Sequence, residues 1–249
     1  MPPQRPAQAR GGGNEPPEVD VDSNEVLAQK LSTAWRFLYG RGFVDGFGHI
    51  SVRAVEPDHF LVTPHSLDRD AEASDMVVVD LDGNVVGTPV RLPAELPIHL
   101  EIYRRRPDVA SVAHLHFLHT TSFSMTDRDL GISYFLASIF RSGIPIHPDP
   151  RLVNDRARGE ALATSLGPHR AAIIKAHGVA VTGATVEEMI AGAFLLEENA
   201  RRTWVSATMG EVKYLDSELM AEVEESMLTS GGPIRRIWQL CESEAARGD

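Results

Sequence analysis

The chain has 249 residues, of which 43% are hydrophobic and 24% charged, with a formal net charge of −11. This composition suits a soluble protein with a real core, in one large domain or two small ones. The acidic balance argues against nucleic acid as the main partner, because phosphate binding needs a basic surface. No apolar stretch approaches the ~20 residues of a membrane span. The single cysteine, Cys241, excludes an intrachain disulfide framework and fits a reducing cytoplasm.

Residues 1–21 are rich in Pro and Gly and poor in large apolar side chains, which predicts a disordered tail with no signal-peptide core. Residues 22–249 then read as a single domain. A cap at Asp22-Ser23-Asn24-Glu25 opens a helix carrying Leu27, Leu31, Ala34, Trp35 and Leu38, stopped at Gly40. Strands are expected at Ile50–Arg53 and Phe60–Thr63. Met76–Val79 and Val85-Val86 flank Asp82-Gly83-Asn84, which predicts a hairpin. A helix starts between Pro93 and Pro97, carries Ile98, Ile102 and Tyr103, and stops before Pro107. Val112-Ala113-His114 reads as a strand, and a mixed helical region follows as far as Ser142-Gly143. Apolar runs at Ala171–Ala176 and Val179–Val181 precede a capping box, Thr185-Val186-Glu187-Glu188, that opens a long helix to Trp204. A last helix is expected between Ser217 and Met227. The pattern predicts an α/β domain with a mostly antiparallel sheet covered by helices.

The chemistry sits in three histidines. Side chains alternate along a strand, so His114 and His116 leave one face about 7 Å apart. That spacing lets two imidazoles converge on one metal ion at about 2.0–2.1 Å each. His177 ends the second apolar run and supplies a third neutral ligand, leaving coordination positions open as catalytic metal sites do. An H-x-H pair alone is common in a chain with ten histidines. Its setting, an apolar strand end followed by a turn, raises its weight.

Taken together, Gly48-His49-Ile50-Ser51-Val52-Arg53, Phe60-Leu61-Val62-Thr63-Pro64, Asp80-Leu81-Asp82-Gly83-Asn84, Pro93-Ala94-Glu95, His114-Leu115-His116 and His177-Gly178 occur in the order found in the class II aldolase/adducin superfamily, which the chain resembles from about Val26 to Trp238. The resemblance implies a three-layer α/β/α fold with a central, mostly antiparallel sheet. It implies a divalent metal on His114, His116 and His177, zinc first, with manganese, cobalt or iron as alternatives. Glu95 matches the family's acidic residue, a general acid/base, and Tyr134 a proton-donating tyrosine that reaches in from a neighbouring subunit. The family's rings of four imply a homotetramer with the site near subunit contacts.

Sugar-phosphate aldolases of this kind have Gly-Asn where this chain has Gly48-His49, and a small Ser/Thr-Gly turn where it has His65-Ser66. Imidazoles there narrow a phosphate cradle built from small residues and backbone N–H groups. The expected substrate is therefore a non-phosphorylated carboxylate, with His49, Ser51, His65 and Ser66 as substrate-binding candidates. Arg53, Arg235 or Arg236 could clamp its carboxylate. The reading favours decarboxylation of a hydroxy or dihydroxy-aromatic acid over retro-aldol cleavage. The alternatives are an aldolase, a non-heme iron oxygenase and an adducin-like scaffold without catalysis.

Overall fold

A computed structural model describes residues 22–44 and 46–247; the tail expected over residues 1–21 lies outside the described residues. Helix α1 (Asn24–Gly40) is capped by the Ser23 hydroxyl, which accepts from the Val26 N–H. It buries Leu31, Ala34, Trp35 and Leu38, the face expected from the 3.6-residue period. Seven strands follow: β1 (His49–Arg53), β2 (His59–Val62), β3 (Val77–Asp80), β4 (Ser111–Leu115), β5 (Ile146–His147), β6 (Ala171–Ile174) and β7 (Gly178–Gly183). They form one sheet in the order β3-β2-β1-β4-β7-β6-β5. Every pairing is antiparallel except β5 with β6. β4 and β7, in the middle, are buried throughout.

The remaining helices are α2 (Pro97–Arg105), α3 (Leu118–Phe123), α4 (Arg156–Leu166), α5 (Val186–Met209), α6 (Ser217–Ser230) and α7 (Gly232–Ala245). Alternation along the strands divides the core into two layers. Ile50, Val52, Ala113, Leu115, Val179 and Val181 pack with α1, α5 and α7 on one face. Phe60, Val62, Val112, Ala172, Ile174 and Ala180 pack with α2 and α4 on the other. The three-layer α/β/α arrangement is thus the observed one.

Several expectations change. Asp80 Oδ1 accepts from the Asp82 and Asn84 N–H groups and Gly83 turns at φ +88°, so the turn forms. Its second arm is only an isolated bridge, Val79 to Val85, not a strand. Helix α4 and the short β5 were not expected. The helix expected over Ser217–Met227 runs on to Ser230, and Gly231, at φ +60°, separates it from a further helix, α7. In the capping box Thr185 accepts from the Glu188 N–H, but the Glu188 carboxylate turns to the Ala184 N–H and Arg170.

Helices α2 and α4 cross closely because α4 carries Gly159: a Cβ there would lie 2.7 Å from the Pro97 carbonyl oxygen. Alanine is the better helix former by about 1 kcal/mol, yet overpacking of this kind costs about 1–3 kcal/mol. Gly159→Ala is therefore expected to lower the melting temperature in thermal unfolding followed by circular dichroism.

Candidate metal centre

His114 occupies β4 and His116 the residue just past its end, both emerging toward the α2 side of the sheet. Their rings meet edge-on with centroids 4.8 Å apart. His177 arrives from the tight β6–β7 turn, with its ring 5.1 Å from that of His114 and stacked 5.4 Å from that of His116. Glu95 lies in the turn before α2, where Oε2 is 3.4 Å from His114 Nε2 and 3.5 Å from His177 Nε2. The candidate ligand atoms of Glu95, His114, His116 and His177 all lie within 4.8 Å of one another, a group that could hold a metal ion.

The backbone enforces this convergence. Ala176 adopts φ +51°, unusual for a residue with a side chain, and its N–H donates to Ser124 Oγ at 2.9 Å. The His177 N–H closes the turn on the Ile174 carbonyl. Gly178 follows because nothing larger fits: a Cβ would sit 2.6 Å from the Leu115 carbonyl oxygen and 2.9 Å from His116 Cδ2. His114 Nδ1 donates to the Val179 carbonyl at 3.1 Å, which leaves Nε2 as the lone-pair nitrogen toward Glu95.

Glu95 is 7% exposed, a buried carboxylate rather than a solvent-facing one. Burial pushes its carboxyl up, but the neighbouring imidazoles of His114 and His177 and the Val153 N–H outweigh this and hold it well below the usual carboxylate range. His114 Nε2 and His177 Nδ1 are buried without a hydrogen-bond partner. The orphaned Nε2 of His114, 3.4 Å from the Glu95 carboxylate, fits a divalent cation, whose ligation would satisfy a lone pair that is otherwise costly to bury.

Residues 29–204 match the family model described as the Class II Aldolase and Adducin N-terminal domain. The chain belongs to this family. A 3,4-dihydroxyphthalate decarboxylase of Rhodococcus jostii (strain RHA1) is 30% identical over 209 residues, covering 78% of this chain and 84% of that one. A 5-methylthioribulose-1-phosphate/5-deoxyribulose-1-phosphate aldolase of Rhodospirillum rubrum is 30% identical over 186 residues, covering 74% of this chain and 82% of that one. An aldolase II superfamily protein from Pseudomonas syringae, of known structure, has a TM-score of 0.80 at 26% identity and covers 92% of this chain and 95% of its own.

The other candidates take different places. His49 is the cross-strand neighbour of His114, with ring centroids 5.0 Å apart. Its Nδ1 meets His99 Nε2 at 2.6 Å. Ser51 is fully buried one step behind, its hydroxyl 2.6 Å from His99 Nδ1 and 2.7 Å from the Tyr103 hydroxyl. His65 and Ser66 are exposed in the loop after β2, tethered by the His65 N–H to the Arg91 carbonyl. Tyr134 lies away from this cluster, with its ring under the Arg202 guanidinium at 4.3 Å and its N–H on Asn199.

Arg53 is no carboxylate clamp. It donates to the Val109, Tyr103 and Arg106 carbonyls and stacks on Tyr103, closing the C-terminal end of α2. Arg235 and Arg236 are exposed on α7, a helix of the opposite layer. The reading of the sequence missed His99 and Tyr103. Their signal was a polar pair at i, i+4 within an otherwise apolar helix face.

His116→Ala is expected to abolish stoichiometric metal, measured by elemental analysis after dialysis. Gly178→Ala, which touches no ligand atom directly, is expected to weaken metal binding about ten- to a hundredfold, read by competition with a chromophoric chelator.

Proposed function

We propose that the chain is a divalent-metal-dependent carbon–carbon lyase that decarboxylates a non-phosphorylated dihydroxy-aromatic or hydroxy carboxylate. The observation that carries this reading is the cluster of Glu95 with His114, His116 and His177, joined at its edge by a buried imidazole, His49. The likeness to relatives named 3,4-dihydroxyphthalate decarboxylase supports the substrate class. The likeness to an aldolase keeps retro-aldol cleavage as the second reading.

His114, His116 and His177 would hold the cation, with zinc the first choice and manganese, cobalt or iron the alternatives. Bound there, a divalent cation would supply Lewis acidity that stabilises negative charge developing on the substrate. Glu95, kept as a carboxylate, takes the proton of a substrate hydroxyl through Oε2 and returns it to the ring carbon that bears the departing carboxylate. The electron pair of the broken C–C bond ends in the new C–H bond, carbon dioxide leaves, and solvent restores the hydroxyl proton. Val153 fixes the other oxygen of Glu95 through its N–H at 2.8 Å. Burial of Glu95 and His114 limits competing water at this transfer.

The same reading makes the protein a cytoplasmic homotetramer. The exposed apolar side chains of Leu118, Met125, Phe135, Trp204 and Met209 are suited to a face covered by other copies. Tyr134 then serves the site of a neighbouring copy. Among the described residues no helix is long and apolar enough to cross a membrane.

Metal-loaded protein incubated with a panel of hydroxy acids and dihydroxybenzoate-type carboxylates is expected to release carbon dioxide without oxygen uptake. Aldehyde from several acids and no carbon dioxide would reverse the order of the two readings, and iron with dioxygen consumption would replace both. Glu95→Gln is expected to retain metal and lose about 10²–10⁴-fold in kcat, measured by carbon dioxide release.

A further inference from the structure

Behind the candidate centre runs a buried polar column that metal ligation does not explain. His49, Ser51 and Arg53 alternate on the α2 face of β1, and His99 and Tyr103 stand one turn apart on α2. Two residues along a strand advance about 6.8 Å and four along a helix about 6 Å. The strand's polar row and the helix pair therefore stay in step. His49 meets His99, Ser51 meets both His99 and Tyr103, and Arg53 covers the Tyr103 ring at 4.6 Å. His49, Ser51, His99 and Tyr103 are each at most 5% exposed.

The hydroxyl at the end of the column sets the direction of every hydrogen bond in it. Tyr103 can donate to Ser51 Oγ at 2.7 Å or to the Ala110 carbonyl at 3.5 Å. The first is a normal O–H···O bond and the second is not. The Arg53 guanidinium over the ring strengthens Tyr103 as a donor. Ser51, accepting from Tyr103, gives its own proton to His99 Nδ1 at 2.6 Å. His99, kept neutral because burial pushes its pKa down to about 3, then carries its hydrogen on Nε2. That hydrogen is donated to His49 Nδ1. Because His49 Nδ1 accepts that hydrogen, it carries none of its own. The ring's one hydrogen is left on Nε2, which no described residue accepts.

We propose that Tyr103, Ser51 and His99 are positioning residues that lock His49 in its Nε2–H tautomer. His49 then presents the site with a fixed hydrogen-bond donor for an anionic substrate oxygen, a carboxylate or a phenolate. His49 is thereby neither a base nor a metal ligand. A donor held by such a chain discriminates against donor-only groups at that position, because the lock cannot turn to accept from them. The ligand class rests on the lyase reading above; the lock itself does not.

The test uses zinc-loaded protein with ¹⁵N-labelled histidine. Long-range ¹⁵N–¹H spectra are expected to show the His49 hydrogen on Nε2 and a bare Nδ1. Ser51→Ala is expected to release the lock, so that both tautomers appear, and to weaken binding of 3,4-dihydroxybenzoate about tenfold. Ser51→Thr, which keeps the hydroxyl, is expected to restore the single tautomer. Should Ser51→Ala fail to fold, Tyr103→Phe removes the orienting donor while keeping the ring, and the Nδ1–H form is expected to appear. A His49 hydrogen on Nδ1 in the unsubstituted protein overturns the proposal, as does a tautomer and affinity unchanged by Ser51→Ala. An Nε2–H tautomer in a protein that decarboxylates none of the acids supports the lock and counts only against the lyase reading.

Discussion

Three imidazoles and a carboxylate share less than 5 Å of largely dry space at the end of the central strand, and much of the site follows from making that tolerable. Lone pairs facing one another in a low-dielectric pocket are costly unless a proton or a cation lies between them. The protein makes the crowding rigid rather than relieving it. His114 sits on a strand hydrogen-bonded on both sides, and His177 rides a turn held by the left-handed Ala176 and by Ser124. Gly178 lets the hairpin press against the ring of His116. Such strain is maintained where it serves a ligand, and the orphaned Nε2 of His114 suits a cation.

The two faces of the sheet have different duties. The face under α1, α5 and α7 is almost wholly apolar, and its burial supplies stability. The face under α2 and α4 combines an apolar core with the polar column from His49 to Arg53. A buried polar network is tolerable only if each member is satisfied, and here each hydrogen finds an acceptor until the last, on His49. Arg53 is central to this balance. It caps the C-terminal carbonyls of α2 and lies over Tyr103, so the end of the helix and the head of the column are fixed by one side chain.

Much of this was legible along the chain. The period of α1, the alternation of β1 and β2, the punctuation around α2 and the Thr185 cap of α5 are local, and local signals survive in sequence. Helix α4 was missed because Arg156–Leu166 has only a weak apolar face and is stabilised by crossing α2 at Gly159. Strand β5 is two residues long and exists only through its pairing with β6. The arm at Val85 falls short of a strand because only Val79 bridges to it across the free edge of β3.

The sequence by itself determined the candidate ligand types and the order of motifs around them, because H-x-H at a strand end and a carboxylate before a helix are written in short local segments. Tertiary structure alone decided which groups meet. Glu95 and His177 are far apart in the chain, yet the sheet order and the β6–β7 turn bring them to 3.5 Å. It also reassigned Arg53 from a candidate clamp to a helix cap, and it found His99 and Tyr103. Their role depends on a strand and a helix advancing by nearly equal steps, a match that no single segment contains.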